Sequence, residues 1–243
     1  MILRSTDHHG GLAKWFAGTA LQFRYDYKPT DPKRSRRDTT QTIDLLSARA
    51  YHVAHAPIEG RFAWDGTRAW ASFPPEKIAA RFWALTPYYF VAMPFVLGDP
   101  GVRLQISQDD PADAGLPPCD VVRVTFDQGT GDAPDDYYVV YLAKESGRLV
   151  ALRYVVSYKP FMASKGVSHT PEKLLVYEDY QEAGPLTLAR THRFYAFADG
   201  KRGSLVTVST VSDVQYGAQF DAAQLTMPAG AQIDTSMDAL AND

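Results

Sequence analysis

The densest polar motif is the segment DQGTGDAPDDYY (residues 127–138), which carries four aspartates and two glycines. Oxygen ligands of this kind bind calcium, but the spacing does not follow the Asp-x-Asp-x-Asp-Gly pattern of an EF-hand. A glycosidase needs two cooperating carboxylates, whereas Asp135 and Asp136 would point to opposite faces of a strand. The segment is therefore interpreted as a hairpin connection. An enzyme that uses Asp132, Asp135 and Asp136 is kept as an alternative.

The histidines and the single cysteine show no spacing typical of a catalytic or metal site. His8 and His9 are adjacent, so on a helix their side chains would point about 100° apart and would not share a metal ion. His192 is predicted to lie on the solvent face of a strand. Cys119 has no partner for a disulfide and no paired histidine. With neither a Gly-x-Ser-x-Gly elbow nor a phosphate-binding glycine loop, we predict no catalytic residue, no metal and no cofactor.

Charge and composition argue against a nucleic-acid partner and a membrane span. The chain has 243 residues, of which 45% are hydrophobic and 22% charged, and its net charge is -3. The basic cluster PKRSRR (residues 32–37) has no wider basic face to support it and is interpreted as a solvated loop. The longest apolar run, residues 84–97, is shorter than the ~20 residues of a membrane span. The first residues, MILRSTDHHGG, show no apolar stretch typical of a signal peptide.

Alternation with a period of two predicts strands through most of the chain. In ALQFRYDY (residues 20–27) apolar and polar residues alternate, and Asp65-Gly66 marks the turn of a hairpin over residues 62–73. About eleven strand-like segments are joined mostly by short turns, which makes neighbouring strands antiparallel. The predicted fold class is therefore mainly β (α+β). We expect a strongly curved antiparallel sheet or incomplete β-barrel whose concave apolar face is covered by helices.

Two regions are predicted to be helical. The first covers residues 7–19, with Thr6 or Asp7 as its cap. The second begins at PPEKIAARFWAL (residues 74–85) and continues into TPYYFVAMPFVLGDPG (residues 86–101). In that continuation Thr86 is expected to cap a new helix with Pro87 in its first turn, and Pro94 is expected to break or kink it.

The apolar helix after Thr86 has two interpretations, because a helix that is apolar on all sides must be covered on more than one side. It is either a plug packed into the core of the curved sheet, or a lid over an apolar cavity that opens at residues 86–87 and 98–101. On the second interpretation, aromatic side chains and a methionine form the ligand-binding surface. The predicted ligand-binding residues are Phe23, Tyr25, Trp70, Phe82, Trp83, Tyr88, Tyr89, Phe90, Met93, Phe95, Tyr138 and Tyr154.

Four motifs resemble an uncharacterised family of exported bacterial proteins: HGGLAKW (9–15), MPFVLGDPGV (93–102), GTGDAPDDYYVVY (129–141) and VYEDYQE (176–182). The resemblance extends over residues 9–228. The order of elements, with an apolar helical insert after the second hairpin, is in turn similar to the LolA/LolB-like lipoprotein carriers. This resemblance implies a single domain over residues 1–243 and a location in the periplasm or cell envelope. It also implies a concave face of the kind that receives acyl chains in the carriers.

Two non-catalytic functions therefore remain open beside the enzyme. In the first, the protein binds a lipid or another hydrophobic small molecule under the kinked apolar helices. In the second, it is a structural or protein-interaction domain of the envelope, which requires an exposed apolar patch or a free sheet edge.

Overall fold

An open antiparallel sheet carries the fold. The computed structural model describes residues 1–74, 76–128, 130, 133, 135–163 and 166–236. Within these residues the helices are α1 (Ile2–His8), α2 (Leu12–Ala17), α3 (Ala80–Trp83), α4 (Thr86–Val96) and α5 (Lys159–Ala163). The strands are β1 (Ala20–Pro29), β2 (Arg37–Asp44), β3 (Ala50–Ala54), β4 (Gly60–Trp64), β5 (Ala69–Ala71), β6 (Val102–Ile106), β7 (Cys119–Phe126), β8 (Tyr138–Ala143), β9 (Leu149–Tyr154), β10 (Lys173–Ala183), β11 (Leu186–Ala198), β12 (Lys201–Tyr216) and β13 (Gln232–Ile233).

The strand order is β13-β5-β4-β3-β2-β1-β12-β11-β10-β9-β8-β7-β6, thirteen strands within the described residues, so β13 and β6 form the two edges. Neighbouring strands pair antiparallel throughout this order, as the short turns predict. The predicted mainly β class and the open, helix-covered sheet are confirmed. None of the described helices is long and apolar enough to cross a membrane.

The helix α4 packs against both halves of the sheet. Its residues Tyr88, Val91 and Phe95 belong to a core cluster with β1 to β5. Met93, together with Leu97 just after the helix, belongs to a second cluster with β7 to β11. Since one short helix is in contact with strands far apart in the sheet order, the sheet wraps around it. The curvature that the sequence predicts is therefore explained by the burial of a helix that is apolar on all sides.

The predicted start of α4 is only partly right. Pro87 lies in the first turn, where its missing N–H costs nothing. Thr86 does not cap the helix, because its hydroxyl donates backwards to the carbonyl of Phe82 (2.6 Å). Pro94 does not end the helix, which continues to Val96. A proline at position 94 frees the carbonyl of Phe90 four residues earlier.

The freed carbonyl of Phe90 has a replacement donor. The hydroxyl of Tyr177, on β10, donates to it at 3.1 Å. The hydroxyl of Thr6 donates to the carbonyl of Pro94 itself at 2.8 Å. The proline is therefore tolerated inside the helix because neighbouring elements provide hydrogen bonds at the place where the helical pattern is interrupted.

The other predicted helices are shorter than expected. Residues 7–19 do not form one helix, because Gly10 and Gly11 adopt positive φ angles of 121° and 90° and separate α1 from α2. A Cβ on Gly10 would lie 2.7 Å from the carbonyl oxygen of Pro185, so only glycine fits at this crossing of the chain. Of residues 74–85, the helical part is Ala80–Trp83, and Pro75 lies outside the described residues.

Candidate functional site

A cavity of about 260 Å³ lies between α4 and the ends of β6 to β9. Its wall comes from α4 and the residues just after it on one side, and from Val102, Phe126, Tyr138 and Tyr154 on the strand side. The segment after β9 contributes further side chains, among them Tyr158. The sheet does not fully cover α4 on this side, and the cavity is the space left between them.

The cavity wall is mainly aromatic. Phe90 of α4 packs edge-on against Tyr154 (ring centroids 5.4 Å apart), and Phe126 packs in the same way against Tyr138 (5.4 Å). Phe82 lies 5.0 Å from Tyr158. Edge-to-face pairs of this kind hold the rings in fixed orientations, so the wall is preorganised for an apolar or planar guest.

Six of the twelve predicted ligand-binding residues line this cavity. They are Phe82, Tyr89, Phe90, Met93, Tyr138 and Tyr154. Five others lie in the solid core on the opposite side of α4, namely Phe23, Tyr25, Trp83, Tyr88 and Phe95. There Phe95 stacks on Trp15 of α2, with ring centroids 4.2 Å apart. The plug and lid interpretations therefore each describe one side of the same helix.

Trp70 is placed on the other face of the sheet, which corrects its predicted position. Ala69 and Ala71 face the core with Phe62, so the residue between them must face outwards. There Trp70 packs with Ala63 and Leu225, and its indole N–H donates to the carbonyl of Leu225 (2.6 Å). Trp70 thus holds the C-terminal segment against the sheet and lies away from the cavity.

The predicted solvent exposure of His192 is wrong. Its side chain is fully buried, and its Nδ1 lies 3.1 Å from the hydroxyl of Tyr25. The ring shares the inner face of β11 with Phe194, two residues further on, which is the reason for its burial. Burial lowers the pKa of His192 to about 3. It is therefore a neutral core residue at physiological pH.

Two carboxylates lie in the cavity wall, and sequence reasoning did not assign them to this site. Asp136 accepts a hydrogen bond from the backbone N–H of Ser157. Burial, with a smaller effect from the charge of Asp135, raises the pKa of Asp136 to about 6. Burial also raises the pKa of Asp99, which follows α4. The aspartates at 135–136 were visible in the sequence, but only the fold shows that one of them faces the apolar helix.

The enzyme alternative is not supported by convergence of its carboxylates. Asp136 lines the cavity, Asp135 is exposed, and Asp132 lies outside the described residues. Among the residues that the structure describes, no three His, Cys, Asp or Glu side chains are grouped so as to hold a metal ion. The wall of the cavity is therefore mainly apolar, with two carboxylates in it, Asp99 and Asp136.

The open sheet, the buried helix and the cavity beside it together define a LolA-like architecture. The chain matches no family model, and it matches no curated protein. It superposes on a LolA superfamily protein from Nitrosomonas europaea with a TM-score of 0.56 at 10% identity, covering 92% of this chain and 97% of that chain. A putative outer membrane lipoprotein-sorting protein domain from Vibrio parahaemolyticus gives 0.55 at 11% identity, covering 93% and 95%.

A third solved structure, a DUF1329 family protein from Desulfovibrio piger, has a TM-score of 0.53 at 10% identity and covers 88% of this chain and 96% of that chain. The similarity extends over nearly the full length of all three proteins. At such low identity it establishes the fold, which is LolA-like, and the function has to be argued from the site.

Proposed function

We propose that this protein binds the apolar part of a lipid or another hydrophobic small molecule in the cavity beside α4. The observation that carries the proposal is the aromatic cavity itself, because a concave and mainly apolar space with a few polar groups, here of about 260 Å³, is typical of sites that bind small molecules. A location in the bacterial periplasm or cell envelope is part of the proposal. It is supported by the similarity to a LolA superfamily protein and to a lipoprotein-sorting domain.

The cavity volume limits the size of the guest. At about 30 Å³ per water molecule, 260 Å³ equals the space of about nine waters. The cavity therefore holds a single short chain or one end of a longer chain, with the remainder outside. Each methylene group that enters contributes about 0.8 kcal/mol of transfer free energy.

Access to the cavity does not require α4 to swing outwards. The helix is held on its far side by the Phe95–Trp15 stack and along its length by the hydrogen bonds from Tyr177 and Thr6. The guest instead enters at the rim, between Asp99 and Asp136. On this proposal the predicted hinges at residues 86–87 and 98–101 adjust the rim and leave the helix in place.

Filling the cavity from within tests the proposal. Val156 is half-buried in the cavity wall, and Val156→Trp is expected to occupy the space of the guest. The matched control is Val208→Trp, since Val208 is a half-buried valine on β12 that is not part of the wall. Binding is measured by fluorescence titration with the neutral apolar probe N-phenyl-1-naphthylamine, and folding by circular dichroism.

We expect the control variant to bind the probe as the unmodified protein does, and Val156→Trp to lose binding at unchanged secondary structure. Equal binding by both variants would place the probe elsewhere and refute the assignment of the cavity. Mass spectrometry of organic extracts from protein purified without detergent then identifies the natural guest.

A second candidate function, association with another copy of the chain, is supported by the edge strand β6. Leu104 and Ile106, on the same face of β6 as Val102, are 46% and 64% exposed. An exposed apolar edge strand can pair with a strand of another molecule. Antiparallel pairing of β6 with β6 of a second copy would give a dimer with twofold symmetry. Sedimentation velocity tests this candidate: a dimer that Ile106→Lys dissociates supports it, and a monomer at high concentration refutes it.

A further inference from the structure

The polar groups of the cavity indicate which kind of head group its guest carries. Among the described residues of the wall, the charged side chains are Asp99 and Asp136, and lysine, arginine and histidine do not occur there. An anionic head group at the rim would therefore meet two carboxylates and no counter-charge. A cationic head group would be attracted by both carboxylates.

The carboxylates keep their acceptor capacity for a guest. Asp136 receives a hydrogen bond from the backbone N–H of Ser157, which satisfies one of its two oxygens. Arg34 and His169 are basic residues whose charges act on Tyr154 and Asp136, respectively, and both lie outside the wall. Arg34 donates to the hydroxyl of Tyr27 (2.8 Å), and Nδ1 of His169 is hydrogen-bonded to the carbonyl of Thr170 (2.8 Å).

A tyrosine hydroxyl of the cavity wall is also available to a guest. Tyr154 lines the wall and is only 5% exposed, yet its hydroxyl makes no hydrogen bond to another described residue. Burial raises its pKa well above the ordinary value, so it stays a neutral donor and acceptor. A guest with a polar group inside the cavity would satisfy it.

The aromatic faces complete a site suited to an organic cation. Phe82, Phe90 and Phe126 present ring faces or edges to the space that Tyr138 and Tyr154 also line. Aromatic cages combined with carboxylates recognise alkylated ammonium groups, since the ring quadrupole and the anionic oxygens both attract a poorly hydrated cation.

We propose that the guest of this cavity is an amphiphile with an organic ammonium head, so that its chain lies against α4 and its cation between the aromatic rings and Asp136 and Asp99. The inference rests on the proposed apolar-ligand function and adds the chemical class of the head group. It predicts a preference for cationic over anionic amphiphiles of equal chain length, by about tenfold or more.

Three probes of equal chain length separate this inference from the function on which it rests. Decyltrimethylammonium, decyl sulfate and decanol are each titrated into the purified full chain below their micelle-forming concentrations, with binding measured by isothermal titration calorimetry. Tighter binding of decyltrimethylammonium than of decyl sulfate, with decanol between them, supports the inference. Equal affinities or a preference for the sulfate overturn it and leave the apolar-ligand function standing. Absence of binding by all three probes refutes both.

Variants locate the preference in the wall. The double variant Asp99→Asn and Asp136→Asn keeps side-chain shape and the acceptor for Ser157, and it is expected to bind decyltrimethylammonium and decyl sulfate within about threefold of each other. The control is Asp113→Asn, which removes the same type of charge from an exposed position in a short 3-10 helix, Pro111–Ala114, on the other face of the sheet. A preference that survives in the double variant, or disappears in the control, refutes the assignment to Asp99 and Asp136.

Discussion

Three buried histidines are expected to make this protein unstable in mild acid. His9, His52 and His192 are each at most 1% exposed. Burial lowers the pKa of His9 to about 4 and the pKa values of His52 and His192 to about 3. In the unfolded chain a histidine titrates near pH 6.5, so below that pH the unfolded state binds more protons than the folded state. Their contribution to stability is therefore complete above about pH 6.5 and is lost as the pH falls towards the folded-state values.

The size of the effect follows from these pKa values. Between pH 7 and pH 5 each of the three histidines removes about 2 kcal/mol from the free energy of unfolding. Asp136 acts in the opposite direction: its pKa is raised to about 6, so protonation in the folded state restores about 1 kcal/mol over the same interval. The expected net loss is about 5 kcal/mol, a large part of the 5–15 kcal/mol that is usual for a domain.

Urea denaturation followed by tryptophan fluorescence at pH 7, 6 and 5 measures this loss. The variant His52→Gln places an amide donor where Nε2 of His52 now lies, 3.0 Å from the carbonyl oxygen of Ala84, and it does not titrate in this range. We expect its loss between pH 7 and pH 5 to be smaller by about 2 kcal/mol than that of the unmodified protein. The control His169→Gln replaces an exposed histidine and is expected to leave the pH profile unchanged. A flat profile for the unmodified protein, or an unchanged loss in His52→Gln, would refute the reasoning.

Three further predictions concern α4 and the N-terminal crossing, all measured by urea denaturation at pH 7. Tyr177→Phe removes the donor to the carbonyl of Phe90 and is expected to cost about 1–2 kcal/mol, whereas an unchanged midpoint would mean that water replaces the donor. Phe95→Ala should lower the free energy of unfolding by about 3–5 kcal/mol, because Phe95 is 2% exposed in a solid core. Phe90→Ala should lower it by only about 1–2 kcal/mol, because Phe90 faces the cavity. The reverse order would contradict the division of α4 into a packed side and a cavity side. Gly10→Ala forces a Cβ against the carbonyl of Pro185 at positive φ and should cost at least about 1 kcal/mol; a neutral result would show that the crossing is loose.

The fold class could be predicted because it depends on local patterns. Alternation and Asp-Gly turns indicate strands and hairpins, and short turns make the neighbours antiparallel. Positions within the strands were less predictable. Trp70 and His192 were assigned to the wrong face of the sheet. Where a strand is buried on both faces, the alternation of polar and apolar residues does not show which face points to the core. For Trp70 the cover is a C-terminal segment that is distant in the sequence.

About half of the candidate site could be predicted, and the rest depends on contacts distant in sequence. Phe90 and Met93 were identified because the helix is apolar on all sides. The side of that helix which is packed by α2 could not be distinguished from the side that faces the cavity, since Trp15 and Phe95 meet only in the folded chain. Asp136 was taken as a turn residue for the same reason: its position beside α4 depends on the curvature of the sheet.

The division of α4 into a packed side and a cavity side has a consequence for the evolution of this architecture. Substitutions on the packed side, at Phe95 or its partner Trp15, are removed by selection whatever the guest is, because they unfold the protein. On the proposed function, substitutions on the cavity side, at Tyr89 or Phe90, change the guest at a small cost in stability. On the proposed function, one scaffold can therefore acquire new ligands through substitutions along a single helical face, so a fold shared at 10% identity does not require a shared ligand.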